Sequence, residues 1–100
     1  MILELAEITV TPGSNTDFEA AVAQAEPLFL RAEGCHGIEL RHGVESPERY
    51  LLLVRWETLE HHTEKFRSSE GFTEWRRLVG PFFAEPPRVE HFEAALPAVS

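Results

Sequence analysis

This sequence predicts an α+β fold, a ferredoxin-like split βαβ sheet with its helices on one face. Three observations predict it. Short β-rich runs with strand-like alternation lie at Ile2–Val10, Ile38–His42, Arg49–Trp56 and Arg88–Glu93. Between the first and second of these, and again between the third and fourth, the apolar spacing becomes that of helices. The first run is apolar on both faces, so both faces need cover. A chain of 100 residues has room for one core only, giving a single domain over residues 1–93 and a C-terminal tail over 94–100.

Ile2 to Val10 is closed by the turn formers Thr11-Pro12-Gly13-Ser14-Asn15 and reads as a strand. One face carries Glu4, Ala6, Ile8 and Val10; the other carries Leu3, Leu5, Glu7 and Thr9. Asn15 or Thr16 can cap a helix whose Phe18, Val22, Ala25 and Phe29 form one apolar stripe. Pro27 lacks an amide hydrogen, so a kink or broken turn is expected before the helix ends at Gly34. Gly34-Cys35-His36-Gly37 reads as a connector into a second strand, Ile38 to His42. Gly43 and Glu45-Ser46-Pro47 then turn the chain back into a third, Arg49 to Trp56. Its Tyr50, Leu52, Val54 and Trp56 share one face, and it is expected to be the most buried strand. Thr58 is placed to cap a second helix through Arg67. Ser68 or Ser69 starts a third, with the stripe Phe72, Trp75 and Val79, ending near Gly80-Pro81. After Pro86-Pro87 a last strand puts Val89 and His91 on one face. The sheet face away from the helices then carries Leu3, Leu5, Leu51 and Leu53, together with Glu7, Glu39, Arg41 and Arg55. A large exposed apolar patch marks an interface, so a homodimer packed sheet to sheet is expected.

Nine Lys and Arg against seventeen Asp and Glu leave a net charge of −8, which argues against nucleic acid and anionic membranes as partners. One Cys allows no intrachain disulfide, the opening residues alternate instead of forming a signal peptide, and no stretch is long enough to span a bilayer. A cytoplasmic location is the expectation. The lone Cys35 reads first as a small buried hydrophobe. Glu60, His61, His62 and Glu64 lack the spacing of a zinc signature, and there is no P-loop, GxGxxG or GxSxG, so neither a metal nor an organic cofactor is expected.

The pattern resembles the antibiotic biosynthesis monooxygenase family over nearly the whole chain. Its anchors are Glu4-Leu5-Ala6-Glu7-Ile8 with Pro12-Gly13, then Glu33-Gly34-Cys35-His36-Gly37, then Trp56-Glu57 with His61, Phe66 and Phe72. The resemblance implies a dimeric α+β barrel. The Glu-Gly-Cys-His-Gly segment is similar to that of quinol monooxygenases, which implies oxidation of an electron-rich aromatic by dioxygen without metal or organic cofactor. The positions that bind haem in haem-degrading relatives hold Ala6, Phe66 and Arg76 here, and an Arg cannot ligate the iron. Of the residues that quinone-forming polyketide relatives use, Trp56 and Arg76 match, while Leu52 and His62 stand in place of an Asn and a Tyr.

From these residues a site takes shape. Trp56, Phe66, Phe72 and Trp75 are the candidate walls of an aromatic pocket, although each is also a natural core residue. His61 and His62 are adjacent on a helix, so only one can point inward. His62 lies four residues before Phe66 on the expected inner face and is the candidate base, titrating near pH 6.5 if unperturbed. Arg76 is the candidate for holding an oxyanion. The expected partners are a small aromatic substrate and dioxygen. Two other readings fit the same fold: a noncatalytic dimeric small-molecule binding or stress-response module, and an isomerase of phosphorylated ligands, for which Arg76 and Lys65 would be the cations.

Overall fold

The computed structural model describes residues 1–96. Along the chain lie β1 (Ile2–Thr9), α1 (Asn15–Leu30), β2 (Cys35–His42), β3 (Arg49–Trp56), a π-helical segment (His61–Phe66), α2 (Glu70–Val79), a short 3₁₀ turn (Gly80–Phe82) and β4 (Arg88–Phe92). The strands form one antiparallel sheet in the order β2-β3-β1-β4, with the helices on one face, which is the ferredoxin-like α+β arrangement. No helix is long and apolar enough to cross a membrane among the described residues. Residues 94–96 of the expected tail carry no strand or helix, and 97–100 lie outside the described residues.

Register decides what meets what. Ile2 stands opposite Trp56 and Glu4 opposite Val54 on one edge of β1, while Glu4 stands opposite His91 on the other. The alternation read from β1 holds, with Glu4, Ala6 and Ile8 buried toward the helices. Phe18, Val22, Ala25 and Phe29 of α1 pack with Tyr50, Leu52, Val54 and Trp56 of β3 to form the core. Phe29 ties α1 to the elements that follow, its ring centroid lying 4.9 Å from those of both Phe66 and Trp75.

Three local expectations are corrected. First, α1 runs unbroken through Pro27 and stops at Leu30, short of Gly34. Pro27 falls in the last turn, and both it and Ala23 are exposed, so water can take the carbonyl that the missing amide leaves free. Gly34, at φ +80°, instead makes the turn into the next strand, a conformation open to glycine. Second, the connector Cys35-His36-Gly37 is already strand. Cys35 pairs with Trp56 and Gly37 with Arg55, and the extra residue is taken up in a β-bulge. Third, the helix expected after Thr58 is wound mostly as a π-helix, closed by the Arg67 N–H donating to the His62 carbonyl at 3.1 Å. Thr58 does cap it, its Oγ1 accepting the His61 N–H at 3.3 Å. Elsewhere Ser69 caps α2 as its sequence suggests, accepting the Phe72 N–H at 3.2 Å.

On the sheet face away from the helices, Leu5 stands opposite Leu53 and Leu3 opposite Arg55, and Leu3, Leu5, Leu51 and Leu53 are only half-buried. Ion pairs flank them, Arg49 to Glu7 between β3 and β1 and Arg41 to Glu39 within β2.

Candidate functional site

The inward face of β1 is apolar except for Glu4, which is 5% exposed. A carboxyl group there needs partners, because water is excluded. Trp56, at the end of β3, supplies one: its indole N–H donates to Glu4 Oε1 at 2.9 Å. His62 supplies the other. The π-helical segment drops its imidazole onto the face of the Trp56 ring, with centroids 5.3 Å apart and planes 14° from parallel, and brings Nε2 to 3.3 Å from the same Glu4 Oε1. On its far side, His62 Nδ1 lies 2.7 Å from Nε2 of His91 on β4. Glu4, His62 and His91 therefore form a continuous chain from the buried floor to a half-exposed edge strand.

This chain has two self-consistent proton arrangements. With Glu4 ionised, His91 Nε2–H donates to His62 Nδ1, and His62 Nε2–H points at Glu4. With Glu4 protonated, every link reverses. Burial raises the Glu4 carboxyl above its ordinary range, while the Trp56 hydrogen bond and the Arg67 charge pull it partly back. Burial, helped by Arg67 and His91, lowers His62 to about 4. Burial and Arg67 lower His91 as well. An ion pair would have shifted Glu4 and His62 the other way, so desolvation outweighs their attraction and the imidazole stays neutral at physiological pH. Burial is thus the perturbation that moves His62 from the value near 6.5 of a free imidazole.

The shift has a consequence for stability. Between pH 6.5 and about 4 the unfolded chain protonates residue 62 and the folded chain does not, so His62 contributes stability that is present above pH 6.5 and lost as pH falls through that window. At 1.36 kcal/mol per pKa unit, the loss between pH 7 and pH 5 is about 2 kcal/mol. Denaturant titrations of the wild type and His62→Gln at the two pH values should differ in pH dependence by that amount. Equal dependence would mean that His62 is not held neutral.

Beside the chain lies a cavity of about 440 Å³, enclosed by Ala6, Ile8 and Leu52 of the sheet, Phe72, Trp75 and Arg76 of α2, and Phe83 with Pro86-Pro87 behind. Glu4, His62 and Val89 face it, and Arg67 borders it. Glu4 Oε2 is not engaged by the chain, and no enclosed side-chain oxygen or nitrogen lacks a partner among the described residues, so this oxygen opens onto the cavity. The size suits a one- or two-ring aromatic. A wider groove of about 880 Å³ between α1 and α2 holds none of these groups, and Glu33 and Lys65 on its wall bond each other at 2.7 Å.

Of the residues the sequence put forward, His62, Phe72, Trp75 and Arg76 line the cavity. Trp56 and Phe66 do not: Trp56 is fully enclosed behind Glu4 and His62, and Phe66 sits in the aromatic core against Trp56, Phe29 and Phe72. Trp56 therefore offers no free ring face to a ligand on this side; its face carries the His62 ring. Arg76 is exposed, its guanidinium 5.9 Å from the Phe72 ring centroid. Glu4, Arg67 and His91 were not singled out. The signal for Glu4 was present, as the one acid on an otherwise apolar strand face. Cys35 is half-buried with its thiol pKa raised by burial, which suits an inert side chain. No three His, Cys, Asp or Glu side chains are grouped as metal ligands among the described residues.

Comparison with known proteins places the chain in a family. A proposed antibiotic biosynthesis monooxygenase of Bordetella bronchiseptica is 56% identical in sequence and superposes with a TM-score of 0.93 over 95% of this chain and 97% of its own. The uncharacterized protein YczJ of Bacillus subtilis (strain 168) is 41% identical over 93 residues, covering 93% of this chain and 98% of that one. SnoaB, a cofactor-independent oxygenase of Streptomyces nogalater, was solved as a mutant. It is 17% identical with a TM-score of 0.82 over 96% of this chain and 94% of its own, a likeness of fold alone. None of the three is named as a quinol monooxygenase. Residues 1–78 match the family described as antibiotic biosynthesis monooxygenase, and this chain belongs to it.

Proposed function

We propose that the chain is a cofactor-independent monooxygenase acting on a phenol or hydroquinone-type small molecule, and that it works as a homodimer through the outer face of its sheet. The observation that carries the reading is the half-open cavity, largely apolar in its walls, that ends on the Glu4–His62 pair. A phenol lying in it presents its hydroxyl to Glu4 Oε2. The carboxylate takes the proton, and both imidazoles change tautomer to the reversed arrangement, in which Glu4 donates to His62 Nε2 and His62 Nδ1–H to His91 Nε2. Transfer along both links then restores the carboxylate and releases one proton from Nδ1 of half-exposed His91, so that no imidazolium is stranded in the buried site. The base is thus the pair, with His62, the residue put forward from sequence, as its relay. The phenolate is electron-rich enough to reduce dioxygen, and the guanidiniums of Arg76 and Arg67, at the opening of the cavity, favour the anion through their field without touching its oxygen. For a phenol with a free para hydrogen the balance is ArOH + O₂ → quinone + H₂O, with one oxygen atom entering the product and the other leaving as water. Phe72 and Trp75 flank the ring, and Trp56 fixes Glu4 and His62 from behind.

Oxygen uptake with a panel of phenols and hydroquinones tests this. Uptake above the enzyme-free autoxidation rate is expected without added flavin, haem or metal. If no member of a broad panel exceeds that rate, the noncatalytic binding module becomes the better account of the same cavity.

A further inference from the structure

The proposed reaction generates one oxyanion, yet two guanidiniums border the cavity. Arg67 and Arg76 are both exposed at its opening, whereas Glu4 and His62 are buried at its floor. The arginine ion pairs among the described residues join Arg41 to Glu39, Arg49 to Glu7 and Arg77 to Glu74, and none engages Arg67 or Arg76. This occurs in a chain with seventeen acids and a net charge of −8. Among the described residues the only acid on the cavity wall is Glu4, which burial moves toward its neutral form. The cavity is therefore locally positive inside an acidic protein, and such a site concentrates anions at its mouth. Arg76 is also braced over the Phe72 ring, which helps to hold its guanidinium beside the apolar wall.

We propose that the ligand of this cavity is a hydroxylated aromatic acid, whose apolar ring lies against Phe72 and Leu52, whose hydroxyl meets Glu4, and whose carboxylate or equivalent anionic group is held by Arg67 and Arg76. This rests on the cavity being the substrate site, as proposed above. It adds a permanent charge that a simple phenol or hydroquinone lacks.

Calorimetric titration with 6-hydroxy-2-naphthoate and with its methyl ester, under nitrogen so that no turnover intervenes, separates the two ideas. The acid should bind about 10-fold more tightly than the ester at low ionic strength, and the gap should narrow in about 0.5 M salt. Arg67→Gln and Arg76→Gln should each weaken the acid about 10-fold and leave the ester within about twofold. Arg31→Gln, which removes the same charge beyond the end of α1 and outside this cavity, should change neither. An ester that binds as well as the acid, or a preference for the acid that survives both cavity substitutions, overturns the anionic ligand while leaving the cavity as the site. Failure of both compounds to bind at millimolar concentration overturns both readings.

Discussion

His62→Ala should lower phenol- or hydroquinone-dependent oxygen uptake about 10²-fold or more, the usual contribution of a positioned base. The substitution removes the link between Glu4 and His91, so a proton taken up by the carboxyl group has no path out of the buried floor. It also strips the ring stacked on Trp56, so circular dichroism must first show that the variant is folded. The pH profile discriminates further. A surface imidazole would give a limb near 6.5; here the limb belongs to His62 near pH 4 and to Glu4, whose carboxyl lies above its ordinary range, with activity rising as pH climbs through them and level thereafter. His91→Gln, at the half-exposed end of the relay, should slow uptake less than His62→Ala and leave that limb in place. Unchanged uptake in folded His62→Ala would remove His62 from the reaction.

Leu53→Asp should dissociate or unfold the protein. Leu53 lies on the face that no helix covers, directly opposite Leu5 on β1 and next to Glu39 on β2. If two sheets pack face to face, the substitution buries an unpaired carboxylate, and a two-fold interface contains it twice. Each copy costs several kcal/mol, more than a modest interface can spare. Light scattering should give twice the 11.4 kDa chain mass for the wild type and the single-chain mass, or aggregates, for the variant. A wild type that is monomeric at micromolar concentration would overturn the homodimer, and a variant that remains dimeric would show that the interface lies elsewhere.

The sequence by itself determined the strands, the helix stripes and the faces they present, because those follow from periods of 2 and 3.6 that a local window contains. Phe18, Val22, Ala25 and Phe29 could be placed on one face of α1 before any contact was known, and Tyr50 to Trp56 likewise on β3. The inward aim of His62 was legible from its spacing to Phe66, and it survived the change from α- to π-winding because both side chains are buried. What His62 does there was not legible. Its partners lie 58 positions earlier, at Glu4, and 29 later, at His91, and only the strand order β2-β3-β1-β4 brings those ends of the chain to the same floor. Trp56 shows the same limit, since an indole that looks from sequence like a stacking platform for a ligand is sealed behind the groups it supports. Local pattern fixes which way a side chain points, but the depth of water exclusion around it, which sets the protonation of Glu4 and His62, depends on how distant elements close over one another.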